Sequence, residues 1–116
     1  MRNMAFSLTT PQMRNRTKTV TRRSVDTWHD LKAGDVLMAV VKSRGLRKGE
    51  YVEEIGPIRI VSVRVERLYE ITLDDIAREG FPGMGRPEFC RFYMEGTKGA
   101  TPDMRVRRIE FTPLYD

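Results

Sequence analysis

The residues whose types and spacing suit chemistry most directly lie in Arg16-Thr17-Lys18-Thr19-Val20-Thr21-Arg22-Arg23, which puts four cations and three hydroxyls into eight positions. Guanidinium groups and hydroxyls are the usual donors to phosphate and sugar oxygens. Arg16, Thr19, Arg22 and Arg23 are therefore candidates for gripping a phosphate-bearing ligand. The bland alternative is that the threonines serve only as strand formers and that Lys18 is a solvated strand-end lysine. Along extended backbone Thr19, Thr21 and Arg23 share one face, and Lys18, Val20 and Arg22 share the other. Lys18 and Thr21 then point apart unless the chain is still turning at Lys18.

The basic surplus is local. The first 25 residues carry six bases and no acid, which accounts for the whole net charge of +5. A second basic stretch, Lys42 to Glu50, sets Lys42, Arg44, Arg47 and Lys48 against one acid, and its two glycines suggest an exposed hairpin tip. Arg44 and Arg47 join the candidate phosphate contacts. Clustered bases are the footprint of a phosphate-binding face, and equally of a merely solvated one. Trp28 and His29 fall in a loop next to this basic region. An indole there suits either stacking on a base or a place on the rim.

Glu79 ends a helical pattern just before Gly80. A carboxylate is unfavourable at a helix C-terminus, which points to another duty for it. Cys90 reads as a small core residue, and Phe89, Phe92 and Tyr93 read as a packing stripe.

These residues need elements to position them. Met4 to Leu8 reads as a strand, with Thr10 as cap and Pro11 opening a short helix over roughly 11–16. Lys18 to Arg23 reads as extended, Ser24 to Ala33 as loop and Val36 to Val41 as a buried strand. Tyr51 to Ile55 suits a returning hairpin strand, and Ile58 to Leu68 a long one. A change of parity at Ile60-Val61 marks burial of both faces or a bulge. Thr72-Leu73-Asp74-Asp75 reads as a cap with an acidic first turn, for a helix that runs to Glu79 and stops at Gly80. A second helix covers Pro87 to Glu95, and a last strand Met104 to Phe111, where a parity break at Arg107-Arg108 suggests another bulge. Tyr115 and Asp116 read as a frayed end.

At 116 residues the chain is one domain, residues 1–116, long enough for a single core. One cysteine and one histidine exclude a disulfide framework and multi-ligand Cys or His metal sites. No apolar run approaches the roughly 18 residues of a membrane span, and the N-terminus lacks a secretory pattern. A cytoplasmic location is expected, with no membrane partner and no metal or organic cofactor. Too few helices alternate with strands for a doubly wound sheet. The pattern indicates the α+β class: a small, mostly antiparallel β-barrel with short covering helices.

An ordered set of motifs resembles the ASCH domain family. Lys18-Thr19-Val20-Thr21 with Arg23 resembles its N-terminal signature, and Gly34-Asp35-Val36-Leu37 resembles its entry into the next strand. Ala77-Arg78-Glu79-Gly80-Phe81 resembles the Glu-Gly-Phe element of the first covering helix. Glu88-Phe89 and Ile109-Glu110-Phe111 are similar to the next helix and the last strand. The resemblance covers nearly the whole chain and implies a PUA-like barrel and RNA binding. Small bacterial members of the family are amidohydrolases acting on N4-acetylcytidine.

By that resemblance Lys18, Thr21 and Glu79 are the working residues, and Arg23 is the signature arginine. Amide hydrolysis needs an activated nucleophile, a proton shuttle and support for the oxyanion. A lysine withdrawn from water beside other cations loses basicity and can take a proton from Thr21 or from water. Glu79 would carry a proton to the leaving amine, and Arg23 would hold the oxyanion or a phosphate. The chain departs from the pattern in Thr21-Arg22-Arg23, where one apolar residue more commonly separates the threonine from the arginine. That departure and the basic 42–50 stretch favour a phosphorylated ligand. The expected partner is RNA or a modified nucleoside or nucleotide, and the expected state a monomer. A non-catalytic RNA-binding module and a ribonuclease-type ASCH protein are the alternatives.

Overall fold

The computed structural model describes residues 1–43 and 45–116. Arg44, one of the candidate phosphate contacts, lies outside the described residues. In chain order the elements are β1 (Asn3–Ala5), α1 (Thr10–Arg14), β2 (Val20–Ser24), β3 (Val36–Val40) and β4 (Glu54–Arg67). A 3-10 turn (Leu68–Glu70), α2 (Leu73–Arg78), α3 (Arg86–Glu95) and β5 (Arg105–Pro113) follow. The five strands form one sheet in the order β1-β3-β4-β5-β2. Only β1 runs parallel to its neighbour, so the α+β, mostly antiparallel expectation holds.

The expected barrel closure does not occur. Among the described residues no ladder joins β1 to β2, and these strands are the two edges of an open sheet. β1 is only three residues long, and the chain turns from it into α1. A side chain occupies the seam instead. Arg23 Nη2 donates to the Ala5 carbonyl at 2.7 Å, and the guanidinium lies 4.8 Å from the centre of the Phe6 ring.

Two apolar clusters stabilise the sheet from opposite faces. Met4, Phe6, Met13, Ile58, Ile109 and Phe111 belong to one. Leu68, Ile71, Ile76, Phe89, Cys90 and Val106 form the other, beneath α2 and α3. This arrangement explains the parity break in β5. Its register against β2 is continuous, so no bulge lies at Arg107-Arg108. Val106 belongs to one cluster, and Ile109 and Phe111 to the other. Of the two readings of the parity change at Ile60-Val61, the structure shows the bulge: the pairing of β4 with β5 shifts between Ile60 and Ser62.

Local signals set the helices. Thr72 Oγ1 accepts from the Asp75 amide at 3.1 Å and caps α2, as its type and position suggest. The first helix starts one residue earlier than expected. Thr10 lies inside it and donates its hydroxyl to the Phe6 carbonyl, while Thr9 is the cap residue. Tyr115 is not frayed: its hydroxyl donates to the Met13 carbonyl at 2.6 Å. No helix among the described residues is long and apolar enough to cross a membrane.

Candidate functional site

The route from α1 into β2 decides where Lys18 points. The amides of Thr17 and Lys18 both donate to the Gln12 carbonyl, at 3.0 and 3.2 Å. Arg16 takes a left-handed φ of 64°. The chain therefore winds around Gln12 until Lys18, and β2 begins only at Val20. Strand parity does not apply to Lys18, and it lines the same cavity as Thr21. Thr19 then ties the two ends of the site together. Its amide donates to the Arg78 carbonyl at 2.8 Å, and its carbonyl accepts from Phe111 at 2.9 Å.

Glu79 is the C-cap residue of α2. Its position at a negative helix end is offset by two cations. Lys18 Nζ donates to Glu79 Oε1 and to the Glu79 carbonyl, both at 2.8 Å. Arg22 Nη1 donates to Glu79 Oε2 at 3.1 Å. Lys18, Thr21, Glu79 and Arg22 are all at most 5% exposed. Burial lowers the Lys18 pKa below its ordinary value, while the charge and hydrogen bond of Glu79 oppose the shift.

Behind this pair stands a second layer of charge. Arg22 Nη2 reaches Asp75 Oδ2 at 2.7 Å and Glu66 Oε1 at 3.2 Å. Arg108, directly opposite Arg22 across the β2–β5 ladder, grips Asp75 through Nε at 2.6 Å and Nη2 at 3.0 Å. Burial opposes ionisation of Asp75, but the two guanidinium groups outweigh it and hold its carboxyl well below the usual range. Arg22 Nε is buried with no partner.

The cavity at this site has a volume of about 320 Å³. Lys18, Thr21 and Glu79 meet Arg23 on its polar side, and Phe6, Phe81, Phe89, Phe92 and Tyr93 supply apolar and aromatic lining. Arg23 Nε donates to Thr21 Oγ1 at 3.2 Å, which fixes the guanidinium beside that hydroxyl. Tyr93 has its phenol pKa raised, by burial first and then by the charge of Glu79. The sequence reading assigned Phe92 and Tyr93 to packing. They are half-buried and line the cavity, to which α3 contributes part of the wall. Asp75 and Arg108 were missed as well. An aspartate in a helix first turn and an arginine in a strand read as surface residues, and only their meeting marks them.

The remaining candidates are dispersed. Arg22 is turned inward and committed to three carboxylates. Thr19 Oγ1 accepts from Arg78 Nε at 3.3 Å. Arg16 is exposed, 3.8 Å from the Asp116 carboxylate. Arg47 is exposed in the β3–β4 loop, where its amide donates to Glu50 at 2.6 Å. Trp28 lines a neighbouring cavity, with the Arg2 guanidinium 4.6 Å from its ring centre. His29 is exposed, and its Nε2 lies 3.0 Å from the Asp26 carbonyl of its own loop. Among the described residues no group of three or more His, Cys, Asp or Glu is placed to hold a metal ion.

This open sheet, with α2 and α3 set over one face and a cavity at the seam, has an ASCH-like fold. The chain matches the crystal structure of an ASCH domain from Lactobacillus crispatus JV V101 with a TM-score of 0.62 and 17% identity, over 99% of this chain and 80% of that one. It matches a protein from Enterococcus faecalis V583, assigned to the family DUF984, with a TM-score of 0.72 and 16% identity, over 97% of this chain and 79% of that one. At these identities the likeness establishes the fold. The sequence matches no family model and no curated protein.

Proposed function

We propose that the cavity takes a modified nucleoside and hydrolyses an acyl group from the exocyclic amine of a cytidine-like base. The observation that carries this reading is the buried 2.8 Å contact of Lys18 Nζ with Glu79 Oε1, on the wall of a cavity that Thr21 also lines. A volume of about 320 Å³ is within the range of small-ligand sites. The aromatic lining offers faces on which a base can stack. The likeness to an ASCH domain supports a nucleic-acid type of ligand.

The chemistry uses only this chain's groups. A proton passes from Lys18 to Glu79 Oε1, leaving an amine and a carboxylic acid; the lowered Lys18 pKa favours this step. The amine takes the Thr21 hydroxyl proton as Oγ1 bonds to the acyl carbon, and the carbonyl oxygen becomes an oxyanion facing Arg23. Collapse breaks the C–N bond, and the Glu79 carboxyl protonates the leaving nitrogen. Lys18 ammonium and Glu79 carboxylate are restored, with the acyl group on Thr21. Water then attacks by the same proton path, releasing a carboxylic acid and regenerating the threonine. Arg22 keeps Glu79 oriented through Oε2.

The test is turnover of N4-acetylcytidine by the wild type, Lys18→Ala and Glu79→Gln. The expected result is hydrolysis by the wild type and a loss of about 100-fold or more in either variant. Each variant breaks a buried ion pair, so turnover is compared per folded molecule, with the folded fraction read by circular dichroism. A second reading is recognition of RNA without turnover. It is favoured by the engagement of both Glu79 oxygens and by the basic N-terminal segment. No turnover by a wild type that still binds RNA in a salt-dependent manner overturns the hydrolase reading in favour of this one.

A further inference from the structure

We propose that a second cavity beside the first is a subsite for the phosphate-linked neighbour of the bound nucleotide, so that an oligonucleotide is a better ligand than a free nucleoside. The inference builds on the reading that a base enters the first cavity. The second cavity, of about 780 Å³, shares Ala5, Ser7, Arg23, Ser24 and Gly96 with the first. The two form one trough along the open seam between β1 and β2, with Arg23 in both walls.

The chemistry of the two halves differs. In the first, Lys18 and Arg22 are matched by Glu79. The second is lined by Arg23, Lys42, Trp28 and the hydroxyl residues Ser7, Thr27 and Ser43, with no carboxylate among its described lining residues. Lys42 makes no ion pair among the described residues. Asp26, which meets the Ser24 hydroxyl at 3.4 Å, does not line the space. An anion entering here meets positive charge and hydroxyl donors, the set used for phosphate and sugar.

Arg23 is fixed at the junction by its bonds to Thr21 and the Ala5 carbonyl. A base on one side of it and a phosphate on the other match the order of groups along a strand. Trp28 takes a left-handed φ of 59°, which is uncommon for a bulky residue and recurs at ligand sites. The Arg2 guanidinium lies over its ring and pairs with Asp30 at 3.0 Å, and the indole gives the second cavity an aromatic surface suited to the next base.

Trp28 is the only tryptophan, so intrinsic fluorescence reports from this cavity. The full chain is titrated with cytidine and with the ribonucleotide trimer UCU, in wild type and Lys42→Ala. The expected result is a change in Trp28 emission and at least about tenfold tighter binding of the trimer. Lys42→Ala should remove most of that advantage, flatten the log–log salt dependence by about 0.7 and leave cytidine affinity unchanged. Equal affinity for the two ligands, or a trimer advantage that survives Lys42→Ala, overturns the subsite. Unmodified bases need no turnover, so an enzyme that hydrolyses acetylcytidine can fail this test, and a binder that never hydrolyses can pass it.

Discussion

Lys18 is a lysine whose charge is opposed by burial and supported by one carboxylate. Its ammonium should titrate below 10.5, and in Glu79→Gln the midpoint should fall further, since the group that raises it is gone. NMR of the Lys18 ε-methylene against pH reads both values, and an unchanged midpoint in the variant contradicts the pairing. Asp75 shows the opposite linkage. Its carboxyl is held below its ordinary 3.8, so the stability it contributes is present above about pH 4 and is lost as the pH falls further. Asp75→Asn should flatten the acid side of a urea-denaturation pH series. Asp75→Ala leaves Arg22 and Arg108 without their shared carboxylate and should cost about 3–5 kcal/mol. At this scale the motif resemblance singled out Lys18, Thr21 and Glu79, and the structure brings the three to one cavity. The inward commitment of Arg22 was not, because nothing local to it shows which carboxylates fold over it.

The end of α2 is the element on which the site depends most. Gly80 takes a φ of 106°, and an added Cβ would stand 2.7 Å from Gln12 Cγ. Gln12 in turn holds the amides of Thr17 and Lys18. Gly80→Ala should therefore strain the backbone by about 1–3 kcal/mol and displace the turn that aims Lys18. Thermal unfolding reads the first effect. A loss of acetylcytidine turnover or cytidine affinity beyond the unfolded fraction reads the second, and an intact site in a destabilised variant contradicts the link. The glycine stop and the Thr72 cap are short-range devices and were readable from residue type. The two-sided burial of β5 was not, because a strand buried on opposite faces along its length mimics a bulge in its parity.

Over the whole molecule, the open seam is held by contacts between distant parts of the chain. Arg23 spans the edge strands, and Tyr115 returns from the C-terminus to the Met13 carbonyl of α1. The Tyr115 ring lies across Gly56 so closely that a Cβ there would overlap it. Gly56→Ala should expel the ring and destabilise the domain by about 1–3 kcal/mol, measured by denaturant titration. Tyr115→Ala in the same background should make the alanine tolerable, since the clash is then absent. Wild-type stability in Gly56→Ala alone would show that the C-terminal contact contributes nothing.

By itself the sequence indicated the helices, most strands and their order, and through short motifs the candidates Lys18, Thr21 and Glu79. These rest on signals within a few residues: parity, caps, glycine stops and residue types at short spacing. The two strands expected over Tyr51 to Ile55 and Ile58 to Leu68 are the single strand β4. Tertiary structure alone decided that the sheet stays open, that Arg23 bridges the seam and that Asp75 and Arg108 support the site. Lys18 meets Glu79 across 61 positions and Arg22 meets Asp75 across 53. Pairings at that distance depend on how β2 and α2 pack together, and the physical rule that buried charges must be matched becomes readable only once burial is known.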